Sequence, residues 1–218
     1  MRLLPLVPSS HPSAWLGDAG ETGREDLANV VFDRDDHTCR FCGHRVVGFQ
    51  DVFNVDGDHE NWSLDNLATA CVLCHGVQHL GGGRVTDELA VIWLPDMSQA
   101  ALNSVVRRIH QVLFAHGEPP DLASPPRSES PRVYAALRAY RALAGEAKAV
   151  KKRIHTSCPR EIGAALLSGS AEERAILSTA LGGIRFLHRG RLFRNGRDVY
   201  PEIILASLPL EAPTAIAA

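Results

Sequence analysis

Long hydrophobic runs are missing from this sequence of 218 residues. Its apolar stretches are short, such as residues 89–94, whereas a transmembrane helix needs roughly twenty consecutive apolar residues. The sequence therefore excludes a membrane-spanning helix. The first eight residues contain two prolines and no apolar segment long enough for a secretory signal. We expect a cytoplasmic protein that reaches a membrane only through a partner.

A strong net charge is also missing, but the charges are unevenly distributed. The formal net charge is −2. Residues 1–95 carry 6 Lys and Arg against 14 Asp and Glu, whereas residues 96–218 carry 17 against 11. Because phosphate contacts dominate nucleic-acid affinity, the acidic half argues against a nucleic-acid surface. The basic half leaves a non-cleaving nucleic-acid module open, although a solvated helix face explains its Lys and Arg as well.

Cysteine is scarce, and four of the five cysteines form two CxxC pairs. Cys39 and Cys42 make the first pair, and Cys71 and Cys74 make the second, with 28 residues between the pairs. Disulfides need an oxidising compartment, and the missing signal argues against one. Four thiolates in this pattern are typical of a structural Zn²⁺ site, so we predict one zinc ion held by these four cysteines. Free thiols or a redox pair are the less favoured explanation.

The pattern of apolar residues and helix caps predicts an α+β chain. Helices are predicted over 24–34, 64–75, 96–117 and 131–155, and a strand over 89–94. Asp96 is the predicted N-cap of the third helix. The apolar stripe of that helix comprises Leu102, Val105, Val106, Ile109, Val112 and Leu113. Residues 118–130 are rich in proline and serine, which predicts a linker without helix or strand.

The segment around the two cysteine pairs, residues 32–75, carries several further motifs. They are the Asp56-Gly-Asp58 turn, Asn61, the Asp65-Asn66-Leu67 segment and His75 directly after the last cysteine. Together with the cysteines they resemble the HNH, or ββα-metal, endonucleases. The resemblance implies an HNH-like, treble-clef-type zinc core, to which helices from residue 96 onward are added. It also implies a mechanism in which a histidine activates water and a divalent metal stabilises the leaving oxygen.

The histidine pair that the HNH mechanism needs is absent from its expected place. Phe53 and Asn54 occupy the two positions, and neither side chain can act as a general base. His59, Asn66 and His75 are the residues that remain for a working nuclease, but His59 falls inside a turn and is expected to face solvent. We therefore predict no catalytic residue, and keep an HNH nuclease using these three residues as the alternative.

A longer pattern covers about residues 32–116. Its segments are 32–34, 39–43, 50–51, 54–58, 66–71, 81–83, 93–95, 101–104 and 112–114. This pattern is similar to the IcmJ (DotN) family of Dot/Icm type IVB secretion systems, whose pattern also has Asn54. The resemblance implies a small zinc protein with an HNH-like fold. It further implies binding to the C-terminal extension of the coupling ATPase, DotL, alongside the IcmS and IcmW adaptors.

These observations favour a non-catalytic zinc-binding adaptor. It would be a cytoplasmic component of the coupling complex, peripheral to the inner membrane through that complex, and would help to assemble the effector-recruiting platform. A divalent-metal HNH endonuclease that cleaves DNA is the alternative. The predicted division of the chain is an N-terminal segment (1–23), an HNH-like zinc domain (24–117), a linker (118–130) and a helical C-terminal region (131–218).

Overall fold

Helices and short two-stranded sheets alternate along the chain, which confirms the predicted α+β class. The computed structural model describes residues 3–6, 8, 11–15, 24–45, 47–170, 172–173, 176 and 181–208. The elements in chain order are α1 (Glu25–Arg34), β1 (Gln50–Asn54), β2 (Leu67–Cys71), α2 (Val72–His75), α3 (Val85–Glu88), β3 (Leu89–Trp93), α4 (Gln99–Ala115), α5 (Pro131–Gly145), α6 (Ala147–Ile154), α7 (Pro159–Ser168), β4 (Ile184–His188), β5 (Phe193–Arg194), β6 (Arg197–Asp198) and α8 (Tyr200–Ala206). Within the described ranges, no helix combines the length and apolarity that crossing a bilayer requires.

The first sheet carries the second cysteine pair. β1 and β2 are antiparallel, with Gln50 opposite Cys71 and Asn54 opposite Leu67, and α2 follows β2 without a gap. α1 packs across both strands, where Val31 shares a small buried cluster with residues of β1 and β2. The order strand–strand–helix therefore brings Cys71 and Cys74 to one end of this sheet.

The prediction of a helix over residues 64–75 is wrong for most of its length. Residues 64–66 form a single 3-10 turn, residues 67–71 form β2, and only residues 72–75 are α-helical. All five residues of β2 are buried. The Leu-Ala-Thr-Ala-Cys sequence is compatible with either state, and pairing with β1 satisfies its backbone groups as a strand.

The second sheet joins distant parts of the chain. β3 pairs antiparallel with β4, so that Leu89 lies opposite His188 and Trp93 opposite Ile184. The predicted strand over 89–94 is thus confirmed as β3. α4 packs on β4, α5 and α8, and its buried apolar residues belong to the same apolar core as Cys39, Cys71 and Cys74.

The helical part of the chain departs from prediction in three details. The N-cap of α4 is Ser98, whose hydroxyl accepts a hydrogen bond from Ala101 N, and not Asp96. Val105 of the predicted stripe is 41% exposed. The predicted helix over 131–155 is divided into α5 and α6 at Glu146, whose carbonyl accepts a hydrogen bond from Trp93 N.

Residues 118–130 contain neither helix nor strand, as their prolines predict. The buried Glu118 carboxylate accepts a hydrogen bond from Ser128 N within this segment, and Arg141 of α5 attaches the segment to a helix by donating to Asp121 O. The division into domains at residues 24–117 and 131–218 stays a prediction, and the β3–β4 pair crosses it.

Candidate metal centre

Four cysteine sulfur atoms converge between the first turn after α1 and the end of the first sheet. The Sγ atoms of Cys39, Cys42, Cys71 and Cys74 all lie within 4.8 Å of one another, and Cys42 Sγ is 3.7 Å from Cys71 Sγ. A tetrahedron with Zn–S bonds of about 2.3 Å has S···S edges of about 3.8 Å. The four sulfur atoms are therefore close enough to hold one metal ion, and their spacing suits zinc.

Local backbone contacts bring the first cysteine pair into place. Cys39 N donates to His44 O at 2.9 Å, and Gly43 N donates to Cys39 O at 2.9 Å. Gly43 has a φ of +71°, which glycine adopts without steric cost and which lets the chain turn tightly after Cys42. Arg40 N donates to Thr69 O at 2.8 Å and so ties this turn to β2.

Helix α4 contributes polar side chains to the sulfur cluster that sequence reasoning missed. Arg107 Nη2 donates to Cys42 Sγ at 3.2 Å and to Cys71 Sγ at 3.1 Å. Asn103 Nδ2 lies 3.4 Å from Cys74 Sγ and donates to Leu73 O at 3.0 Å. The available signal was the spacing of Gln99, Asn103 and Arg107, because residues four apart share one face of a helix.

The charges in this cluster perturb one another. Hydrogen bonds from Cys39, Cys71 and Cys74, helped by the charge of Arg107, hold the pKa of the Cys42 thiol far below its ordinary value despite burial. Burial opposes the charge on Arg107, but the sulfur charges of Cys71 and Cys42 outweigh burial and raise its guanidinium pKa. Hydrogen bonds with Cys39 and Cys42, together with burial, instead raise the pKa of the Cys71 and Cys74 thiols. Thiolate, the form that binds metals, is therefore favoured at Cys42, beside the permanent cation of Arg107.

Phe53 and Asn54, at the positions of the absent histidine pair, have structural contacts. The Phe53 ring is 4% exposed and lies 4.5 Å from the Phe41 ring, centroid to centroid. Asn54 is buried, its Nδ2 donates to Asn61 O at 3.0 Å, and its carbonyl accepts from Gln78 Nε2 at 2.8 Å. The Phe53 side chain thus packs against the first cysteine turn, the Asn54 side chain braces the loop after β1, and the Asn54 backbone carbonyl joins β1 to the segment that follows α2.

His59 and His75 are two of the three residues considered for a nuclease, and both lie beside His79, which the prediction did not include. His75 Nε2 lies 3.0 Å from His79 Nε2, and the His59 ring lies 4.8 Å from the His79 ring. His59 is half-buried, so the expectation that it faces solvent is wrong. Asp51 Oδ2 lies 3.6 Å from His75 Nδ1 on the opposite side of that ring.

Asn66 has a different place and serves the Asp56-Gly-Asp58 turn. Its Nδ2 donates to Asp56 Oδ1 at 2.8 Å and to Asn61 O at 2.9 Å, and its Oδ1 accepts from Asp56 N at 3.0 Å. These hydrogen bonds to one loop use both N–H donors of the side-chain amide and one of the two acceptor sites on its oxygen. Asn66 therefore acts as a loop-bracing residue in this structure.

Comparison with known proteins gives this site a context. No model of a known protein family matches the chain. The type 4 apparatus protein DotN of Legionella pneumophila is 42% identical to the chain over 83 residues. The chain is related to DotN. The matched segment is 34% of this chain and 36% of DotN, so the chain matches about a third of that relative's length. The resemblance to the DotN family seen in the sequence is confirmed.

Proposed function

We propose that this chain is a non-catalytic, zinc-binding adaptor in a type IV secretion apparatus. The observation that carries this proposal is the 42% identity to DotN over 83 residues. The converging cysteines support the zinc part, because four buried or half-buried thiolates form a closed donor set of the kind zinc prefers. The order β1–β2–α2 beside these cysteines supports an HNH-like core.

Zinc would act here as a structural cross-link. Cys39 and Cys42 lie in the turn after α1, whereas Cys71 ends β2 and Cys74 lies in α2. A metal shared by these ligands joins the turn to the sheet, and its binding free energy adds to the free energy of folding. The site has no open ligand position in this arrangement, which supports a structural and not a catalytic metal.

The proposed partner is the C-terminal extension of a coupling ATPase, in a complex that also contains IcmS/IcmW-like adaptors. The exposed face of α5 is a suitable docking surface, because Tyr134 is 51% exposed and lies between the exposed residues Arg132 and Arg138. An acidic, amphipathic segment matches such a face: its charge speeds encounter and its apolar residues supply affinity. Through this partner the chain would lie at the cytoplasmic face of the inner membrane.

A pull-down tests this interaction. The bait is the C-terminal extension of the coupling ATPase from the same genome, and the prey is the full chain, treated with DNase. We expect capture that weakens with salt and falls at least fivefold in a Tyr134→Ala, Arg138→Glu variant. Val30→Ala, which alters an exposed residue of α1, is the control and should bind normally. Equal capture of all three proteins would show that the α5 face is not the docking surface. Failure to capture the wild-type protein would rule out the coupling ATPase extension as its partner.

The second candidate function is an HNH nuclease, and the meeting of His59, His75 and His79 is the observation that favours it. Against it stand the buried structural roles of Phe53 and Asn54, which leave the expected base position without a proton acceptor. We expect supercoiled plasmid to stay intact with Mg²⁺, Mn²⁺ or Ni²⁺. Nicking by the wild-type protein that is lost in a His75→Ala variant would instead support the nuclease.

A further inference from the structure

A buried arginine of helix α4 directly contacts the cysteine cluster. Arg107 is 6% exposed, and within the described part of the chain its hydrogen-bond acceptors are two sulfur atoms and no carboxylate. A buried cation without a compensating charge is strongly destabilising. The compensation for Arg107 must therefore come from the cysteines, and only their thiolate forms can supply it.

The charge balance of a loaded site explains why a cation belongs there. Four thiolates around one divalent ion leave a net charge of about −2, in a place where Cys39, Cys71 and Cys74 are buried. Arg107 offsets about half of that charge by direct contact. Neutral thiols would leave the guanidinium uncompensated, so metal-bound thiolates and Arg107 stabilise each other.

The contacts also have a specific geometry. Nη2 of Arg107 bridges Cys42 and Cys71, so it touches one cysteine of each CxxC pair. Asn103, one turn earlier on α4, contacts Cys74, and its own Oδ1 is held by Gln99 Nε2 at 2.9 Å. One face of α4 thus reaches three of the four sulfur atoms.

We propose that Arg107 is a positioning residue of the four-cysteine site: it is the built-in counter-charge that holds a tetrathiolate metal ion and ties helix α4 to it. This inference rests on the proposed zinc site. Its consequence is that metal loading and the docking of α4 are coupled, because the same sulfur atoms bind the metal and accept hydrogen bonds from the helix. Partners of metal-bound ligands commonly change metal affinity by about 10–100-fold when removed.

The test measures zinc release from the full-length protein. Wild type, Arg107→Met, Arg107→Lys and Arg108→Met are purified with zinc, and transfer of the metal to a chromophoric chelator is followed. Arg108→Met is the matched control, because it is the same substitution at the adjacent, exposed position of α4. We expect about one zinc per chain, release at least about tenfold faster from Arg107→Met, and an intermediate rate from Arg107→Lys. Arg108→Met should match wild type.

A spectroscopic readout separates an effect on the sulfur atoms from a general loss of stability. In the cobalt-substituted proteins, removing a cationic donor from a thiolate should shift the sulfur-to-cobalt charge-transfer band to longer wavelength in Arg107→Met. If Arg107→Met does not fold, Arg107→Lys decides by the same band and by its release rate. Wild-type release rates and an unshifted band in the Arg107 variants would overturn the inference while leaving the zinc site intact. A wild-type protein without zinc would overturn both.

Discussion

At the residue scale, Asp35 is a buried carboxylate that joins α1, the first cysteine turn and β2. It is 4% exposed and accepts hydrogen bonds from Arg34 Nε and Nη2, from Arg40 Nη1 and from Thr69 N, all at 2.9–3.0 Å. Burial raises the pKa of this carboxyl group, but the hydrogen bonds from Arg34, Thr69 and Arg40 outweigh it and lower the pKa below the ordinary value of 3.8. Asp35 is therefore ionised in the folded protein and stabilises it.

Replacing Asp35 by Asn should destabilise the protein by about 3 kcal/mol, because the two arginines and Thr69 N lose the charge they share. Urea unfolding at pH 7 measures this change. The control is Asp36→Asn, since the neighbouring Asp36 is exposed and its ion pair with Arg45 lies at the surface; that variant should stay within about 0.5 kcal/mol of wild type. Equal effects of both substitutions would contradict the assigned role of Asp35.

The same carboxylate gives a pH dependence with a definite sign. A lowered pKa in the folded state means that the unfolded chain binds more protons on acidification, so the stabilisation is present above pH 4 and is lost as pH falls below it. The difference in unfolding free energy between wild type and Asp35→Asn should therefore shrink below about pH 4. A difference that stays constant down to pH 3 would show that Asp35 contributes by shape and not by charge.

At the element scale, the β3–β4 pair depends on a glycine at the entry to β4. A Cβ atom at Gly183 would overlap Cη2 and Cζ2 of the Trp93 ring, and the Arg153 guanidinium stacks on that ring with Cζ 4.3 Å from its centroid. Gly183 O also accepts a hydrogen bond from Leu94 N at 2.7 Å. A larger residue at position 183 would therefore have to displace the indole ring from its stacked position on Arg153 or shift the turn before β4.

Gly183→Ala should cost about 2 kcal/mol, since overpacking must displace the Trp93 ring or the turn. Chemical denaturation and tryptophan fluorescence report the loss of stability and the displaced ring. Gly145→Ala is the control: Gly145 ends α5, and a Cβ atom there meets nothing within 4 Å. That substitution should be neutral or slightly stabilising, because alanine favours helix. A neutral Gly183→Ala protein would mean that Trp93 has another position open to it.

At the scale of the whole molecule, the segment before the linker and the segment after it complete one another. β4, after the linker, is the partner of β3, and α5 and α8 cover the buried face of α4. A chain ending at residue 117 would expose an unpaired strand edge and the apolar residues of α4. These contacts argue that residues 24–117 need the C-terminal region in order to fold.

Cutting the chain after residue 117 should therefore abolish cooperative unfolding of the 1–117 fragment, measured by urea denaturation and size-exclusion chromatography. Co-expression with a 118–218 fragment should restore a soluble complex, because the cut falls in a segment without helix or strand. If the 1–117 fragment alone unfolds cooperatively at the midpoint of the full chain, the zinc-bearing part is an independent domain, as the sequence-based division predicts.

Residue order alone defined several features of this protein. Two CxxC pairs can bring four sulfur atoms together wherever the chain between them returns to its start, and here they lie within 4.8 Å. Closely spaced prolines disfavour helix interiors and central strands between residues 118 and 130, and the structure has neither helix nor strand there. The motifs that indicated a DotN relative are likewise a property of sequence, and the identity of 42% over 83 residues agrees with them.

Other features arise only when distant segments meet in the folded chain. Residues 67–71 have no strong preference of their own, and pairing with β1 makes them a strand where a helix was predicted. In the sequence, Arg107 shares a helix face with Gln99 and Asn103, but nothing local shows that this face of α4 packs against the cysteines. β4 has its partner 91 residues away at the closest pair, Trp93 and Ile184, so no short-range pattern reveals it. Burial and long-range pairing decide these features. Both depend on contacts between segments that are far apart in the sequence, and local periodicity carries no information about such contacts.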